Sequence, residues 1–184
     1  MEIGSELFNF AKYFGQYGYN KNLNFVAFYG NKGQDMFGNF WKLGKYITYG
    51  GIKADNIETL YHAAKFPGTI RKKFNKLSAL QSFYLSRKHK YDVRPDWNEI
   101  KDSIMLDLLR IKFRIPLLTV VLLSTGDKYL VEHNPVKGRD EYWSDNNDGT
   151  GQNKLGELLM KIRSEFFGTG IVPKSNDYLR WIMH

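Results

Sequence analysis

The sequence predicts a single α+β domain, predominantly helical, with a small β-sheet. Apolar residues recur at the helical period in several separate stretches, while β-branched and aromatic residues gather in short runs closed by glycine or polar turns. The 184 residues suffice for one hydrophobic core and are too few to expect two. Hydrophobic residues make up 42%, aromatic residues 16% and charged residues 25%, the balance of a folded chain rather than a disordered one.

Residues 1–22 are rich in glycine, asparagine and aromatics and read as a short helix followed by a packed extension. Residues 25–29 alternate weakly and run into Gly30, a short strand into a turn. A second strand is predicted over residues 45–52, where Tyr46, Ile47, Thr48 and Tyr49 precede Gly50-Gly51, a turn or bulge. Asp55 or Asn56 can cap a helix through residues 57–65, which Pro67-Gly68 stops. Helix is predicted next over residues 70–88, with Phe74, Leu77, Leu80, Phe83 and Tyr84 at helical spacing. Pro95 breaks it, and Asp96 caps a further helix in which Ile100, Ile104, Leu108 and Ile111 repeat. Residues 117–124 are ambiguous, since Val120-Val121 favours strand while Gly126 suits a helix C-terminus. The strand expected immediately afterwards, over residues 128–133, decides for helix. Residues 154–166 carry one apolar stripe of Leu155, Leu158, Leu159, Ile162 and Phe166, and residues 177–183 suggest a short terminal helix. The main domain is placed at residues 23–168, with extensions at 1–22 and 169–184. Its sheet is expected to combine residues 25–29, 45–52 and 128–133.

Composition excludes several chemistries. Without cysteine there is no disulfide framework, thiolate metal site or thiol nucleophile, which fits a reducing compartment. The N-terminal segment has no apolar core of a secretory signal, and residues 115–123 are too short to span a bilayer, so a soluble, cytoplasmic protein with no membrane partner is expected. The run Ser144 to Gly149 resembles a calcium loop, but its twelfth position is Leu155 where a bidentate glutamate is needed. The four histidines sit at no metal-ligand spacing, and no phosphate loop, dinucleotide fingerprint or serine elbow is present. No metal and no cofactor are expected.

The net charge of +8 is uneven. Residues 67–94 carry Arg71, Lys72, Lys73, Lys76, Arg87, Lys88, Lys90 and Arg94 against Asp92 alone, whereas Glu132, Asp140, Glu141, Asp145 and Asp148 cluster later. The plain reading of the basic segment is a solvated helix face; the functional one is attraction of phosphates on a nucleotide or nucleic acid.

Two constellations carry candidate chemistry. On the helix from residue 57, Glu58, Tyr61, His62 and Lys65 fall at i, i+3, i+4 and i+7 and share one face, while Ile57, Leu60, Ala63 and Ala64 turn inward. This is either a solvated polar stripe with a Glu58–His62 contact or a site wall bearing a carboxylate and an amine. The second is Asp140-Glu141-Tyr142-Trp143-Ser144-Asp145 running into Asp148-Gly149-Thr150-Gly151-Gln152-Asn153. A tryptophan in so polar a loop folds back onto the core or stacks on a ligand. Acids, a flat aromatic and a helix N-terminus close behind suit a phosphorylated sugar attached to a base.

Phe28-Tyr29-Gly30, Gly38-Asn39-Phe40 and residues 57–66 (IETLYHAAKF), followed by Leu123-Ser124-Thr125-Gly126, residues 130–135 (LVEHNP), Asp140 to Trp143 and residues 149–163 (GTGQNKLGELLMKIR), resemble in order the motifs of the NADAR/YbiA-like family. The likeness covers residues 25 to 166. The family usually has histidine where Asn31 stands, serine where Gly38 stands and glycine where Ser144 stands; these departures bear on fine specificity and remove no charged candidate.

The resemblance implies a YbiA-like fold and an N-glycosidase acting on ribose attached to an exocyclic amine. Two substrate classes follow from it: ADP-ribose on the amino group of guanine in nucleic acid, and ribosylamino-pyrimidine intermediates of riboflavin synthesis. A DNA ADP-ribosyltransferase is the associated partner it implies for the first. A glycosylamine can leave through an oxocarbenium-like state, using an acid on the departing nitrogen and a carboxylate on water, or open to an imine that an amine takes over. Glu58 and Asp140 suit the first route and Lys65 the second. Trp143 is expected to stack on base or sugar, with Asn39, Phe40, Tyr61, His62, Asn153 and Arg163 as further substrate-binding candidates. The positive charge ranks ADP-ribosyl-guanine first. A non-catalytic reader of ADP-ribose or nucleic acid is the reading from another class, and the trio Glu58, Lys65 and Asp140 counts against it.

Overall fold

The computed structural model describes residues 24–29 and 35–167, so the expectations for residues 1–22 and 177–183 lie outside the described residues. The architecture is α+β and mainly helical. Residues 24–29 and 120–167 belong to one compact unit and residues 35–119 to another.

In the first unit β1 (Phe25–Phe28) pairs in parallel with β4 (Tyr129–Glu132), Phe25 opposite Tyr129 and Phe28 opposite Glu132. Phe25 and Val131 form a buried cluster with Ala27 and Tyr129 against it. The final helix, α6 (Lys154–Phe167), covers β4 with most of the predicted stripe: Leu155, Leu159 and Ile162 are buried and Leu158 partly so, while Phe166, in the last turn, is 44% exposed and lies outside the core. Gly156 sits where this helix meets the strand. A Cβ there would lie 2.1 Å from the Leu130 carbonyl oxygen, so only glycine lets the two backbones approach.

In the second unit, β2 (Ile47–Tyr49) and β3 (Ile52–Ala54) form an antiparallel hairpin. Residues 45–52 are therefore not one strand. Gly50 and Gly51 both adopt positive φ (53° and 79°), the backbone of a two-residue turn with the twist a hairpin needs. The described strands consequently form two separate two-stranded sheets rather than one.

Helix α1 (Ile57–Ala64) is capped by Asn56, whose side-chain oxygen accepts the Thr59 amide at 2.8 Å. Asn56→Ala should lower stability by about 1–2 kcal/mol, seen as a lower urea midpoint with an unchanged slope.

The helix expected over residues 70–88 is two. α2 (Gly68–Lys72) ends, Lys76 takes a left-handed φ of 60° with its amide on the Lys53 carbonyl, and α3 (Ala79–Lys88) begins afresh. A capping box starts α3: Ser78 Oγ accepts the Gln81 amide and Gln81 Oε1 accepts the Ser78 amide. That local signal overrides the apolar period. Phe74 becomes a buried anchor of the turn, while Leu80 and Tyr84 face outward.

Helix α4 (Trp97–Lys112) starts after Asp96, whose carboxylate accepts from Arg94 Nε at 2.6 Å instead of capping the helix. Residues Pro116–Ser124 are helical (α5), as the following strand required, and Gly126 takes the positive φ of a helix terminus. No helix among the described residues is long and apolar enough to cross a membrane.

Candidate active site

Helix α1 packs against α3 and α4, and its polar face is covered rather than solvated. Tyr61 is 5% exposed and His62 7%, so a surface stripe does not describe them. The Glu58 amide donates to the Asn39 carbonyl at 3.0 Å, which ties the start of the helix to the turn carrying Gly38-Asn39-Phe40. His62 Nε2 lies 2.8 Å from Glu58 Oε1, and the Glu58 side chain retains 13% exposure.

His62 Nδ1 is buried and has no hydrogen-bond partner among the described residues. A proton there would be an N–H without an acceptor, costing about 1–3 kcal/mol. We therefore assign the ring as the Nε2–H tautomer, donating to the Glu58 carboxylate. Phe83 of α3 holds the imidazole edge-on at 6.0 Å between centroids.

On the next turn Lys65 Nζ lies 5.3 Å from the Tyr61 ring centroid and 5.7 Å from that of Trp97, and those two rings pack 5.0 Å apart. Such faces attract an ammonium and anchor the flexible lysine stem. The Arg94 amide donates to the Lys65 carbonyl at 2.9 Å and pins the helix end. Asn39, Glu58, Tyr61, His62 and Lys65 are thus brought together. Phe40 instead lines a pocket of about 500 Å³ with Lys42, Tyr46, Asn56 and the first turn of α3, in which Glu58, Tyr61, His62 and Lys65 take no part.

The other predicted residues lie in the first unit. Asp140 Oδ1 accepts the amides of Tyr142 and Trp143 at 3.2 and 2.9 Å, closing a turn that presents the half-buried Trp143 edge-on to Tyr142. The loop that follows is organised by buried Asp145, which meets His133 Nδ1 at 2.6 Å and accepts the Asn134 and Asn147 amides. Gly151 is packed so closely that a Cβ would lie 2.2 Å from the Ser144 carbonyl oxygen.

Asn153 and Arg163 are buried and engaged within the fold. Asn153 accepts the Glu132 amide and donates to the Leu130 carbonyl, joining β4 to the start of α6. Arg163 donates to Thr125 Oγ1 at 2.7 Å, and burial pulls its guanidinium below the usual arginine range while Asp127 opposes this. These placements explain the two residues as links within the first unit.

Several site-forming residues escape the sequence reading. Trp97 completes the Lys65 wall; its only signal was a large aromatic in the first turn of a helix after Pro95. Phe83 was read as part of a stripe rather than as the wall of His62. Lys112 is buried and donates to the Phe37 and Gly38 carbonyls at 3.1 and 2.8 Å, holding the turn that carries Asn39. A lysine near a helix end signals nothing by itself.

The profile describing the NADAR domain matches residues 27–167, most of the chain and all of the residues just placed. The chain belongs to the NADAR domain family. An N-glycosidase YbiA of Shigella sonnei is 31% identical over 135 residues, which cover 71% of this chain and 82% of that protein. A riboflavin biosynthesis protein of Vibrio vulnificus is 37% identical over 123 residues, 65% of this chain. The matched region spans only 32% of that larger protein. The NMR structure of E. coli YbiA aligns with a TM-score of 0.67 at 29% identity, over 79% of this NADAR chain and 86% of the other.

Proposed function

We propose that this NADAR-domain protein is an N-glycosidase that hydrolyses the bond between ribose and an exocyclic amine, acting chiefly on ADP-ribosylated guanine in nucleic acid. The observation that carries the reading is the α1 face, with a carboxylate bound by His62 Nε2 and, two turns on, an amine lying against the packed Tyr61 and Trp97 rings. The relatives named N-glycosidase support the reaction class.

Cleavage breaks the bond between the sugar C1 and the amine, and its electron pair leaves with the nitrogen. The nitrogen needs a proton, and C1 must receive the oxygen of water, whose proton is removed. Glu58 is the group for this proton traffic, because His62 fixes one of its oxygens and some exposure remains for substrate. Lys65 either takes over the ring-opened sugar as an imine, releasing the base before water restores the amine, or stays an ammonium beside the substrate phosphates. Tyr61 and Trp97, packed 5.0 Å apart and tilted by 59°, hold the Lys65 amine against their faces and so fix where it meets the substrate. An enzyme that attaches ADP-ribose to guanine would supply the substrate and is the expected partner.

A second reading, hydrolysis of ribosylaminopyrimidines, is favoured by the riboflavin biosynthesis relatives. Initial rates on an ADP-ribosylated oligonucleotide and on a phosphoribosylaminopyrimidine, measured side by side at about 50 and 200 mM salt, separate the two. The first reading predicts turnover of the oligonucleotide with a steep loss at the higher salt. Salt-insensitive turnover of the small ribosylamine alone would establish the second.

A further inference from the structure

The pocket that Phe40 lines has a chemistry that the glycosidase reaction itself does not require. Two of its lining residues tie it to the α1 site along the chain: Phe40 follows Asn39, which accepts the Glu58 amide, and Asn56 caps the helix that carries Glu58. Lys42, Tyr46, Asp55 and Lys76 occupy the rest, together with the first turn of α3. Lys76 Nζ stands 5.8 Å from the Tyr46 ring centroid, so a cation and an aromatic face are presented together. Tyr46 is 57% exposed, far more than a ring this size needs for packing, and Leu80 and Tyr84 continue an exposed apolar surface along α3 at 56% and 60%. From residue 36 to residue 90 the only acids are Asp55 and Glu58, against eleven lysines and arginines.

We propose that this groove holds the single nucleic-acid strand flanking the modified guanine, which rests on the substrate reading above. Phosphates lie against Lys42 and Lys76, and an unstacked base lies on Tyr46. Cations that track a backbone, interleaved with rings that accept any base, are the means by which single strands are held without sequence preference. Asp55 accepts hydrogen bonds from the amino or imino edge of a base, an edge that a duplex would hide. A volume of about 500 Å³ takes a nucleotide-sized group rather than a double helix. The excess of positive charge makes an acidic strand, rather than a neutral peptide, the complementary occupant.

The test is fluorescence anisotropy with a labelled, unmodified DNA single strand of about 12 nucleotides, titrated with the full chain at low and moderate salt. Lys42→Glu and Tyr46→Ala are each expected to weaken binding by about fivefold or more, with Tyr46→Phe restoring it and Lys42→Glu reducing the salt dependence. Lys161→Glu, an equal charge change at an exposed position on α6, should leave binding as it is. Lys42 and Tyr46 are exposed, and unchanged thermal midpoints verify that the fold is kept. Absence of binding by the wild type overturns the proposal, as does an equal loss in Lys161→Glu. Release of ADP-ribose from DNA by wild type, with strand binding unaffected in the groove variants, removes the groove and leaves the glycosidase. Groove-dependent strand binding without any release of ADP-ribose does the reverse.

Discussion

Glu58→Gln is expected to lower kcat on ADP-ribosyl-guanine by about a hundredfold to ten-thousandfold, with little change in KM. Glutamine keeps the volume and an oxygen that can still accept the His62 Nε2 proton at the 2.8 Å contact. The amide of residue 58 still donates to the Asn39 carbonyl. The negative charge and the ability to give and take a proton are lost while the packing is kept, so steady-state kinetics should register chemistry rather than folding. A drop in KM-linked affinity with intact kcat would instead make Glu58 a binding group. Lys65→Met completes the comparison by removing the amine while keeping an apolar stem against Tyr61 and Trp97. If the lysine takes over the sugar as an imine, kcat collapses; if it serves as a cation toward phosphate, KM carries most of the loss.

Lys112→Met is expected to destabilise the protein by about 2–4 kcal/mol, through polar groups rather than lost volume. Lys112 is 0% exposed, and its ammonium donates to the carbonyls of Phe37 and Gly38. Methionine fills most of the space but offers neither carbonyl a donor. Relief of the buried charge returns part of the cost, which keeps the figure below that of breaking a buried ion pair. For a chain of this size the change corresponds to a fall of about 5–15 °C in Tm. Those carbonyls sit in the turn whose next residue, Asn39, accepts the Glu58 amide. Residual activity at low temperature should therefore fall as well, and an unchanged Tm would mean that the turn does not depend on Lys112.

The elements most legible in the sequence are those whose local chemistry agrees with their period. Asn56, the apolar side of α1 and the Leu155, Leu159 and Ile162 part of the α6 stripe lie where they were expected, whereas Phe166 at its end is exposed. Period alone misplaces residues 70–88, because the capping box at Ser78 and Gln81 restarts the helix and turns Leu80 and Tyr84 outward. Residues 45–52 mislead for a similar reason, since only the paired left-handed glycines distinguish a hairpin turn from a bulge. The spacing of Glu58, Tyr61, His62 and Lys65 was visible as one helix face. What packs on it was not, because Phe83 and Trp97 arrive from other elements through tertiary packing, as does Lys112 beneath the turn that carries Asn39. The glycine-rich run leading into α6 carries a similar lesson: Gly151 before the helix and Gly156 in its first turn occupy places where backbones nearly touch, so part of a motif that suggests ligand binding is explained by close packing.

The most direct test follows the modified base itself. A guanine-ADP-ribosylated single strand is incubated with the wild-type protein and, in parallel, with Glu58→Gln, and both oligonucleotide and sugar are weighed by mass spectrometry in the same sample. The prediction is that wild type returns the oligonucleotide to its unmodified mass with guanine in place, frees one ADP-ribose per strand, and that Glu58→Gln does so far more slowly. An abasic strand, an unchanged strand, or equal release by both proteins would contradict the assignment.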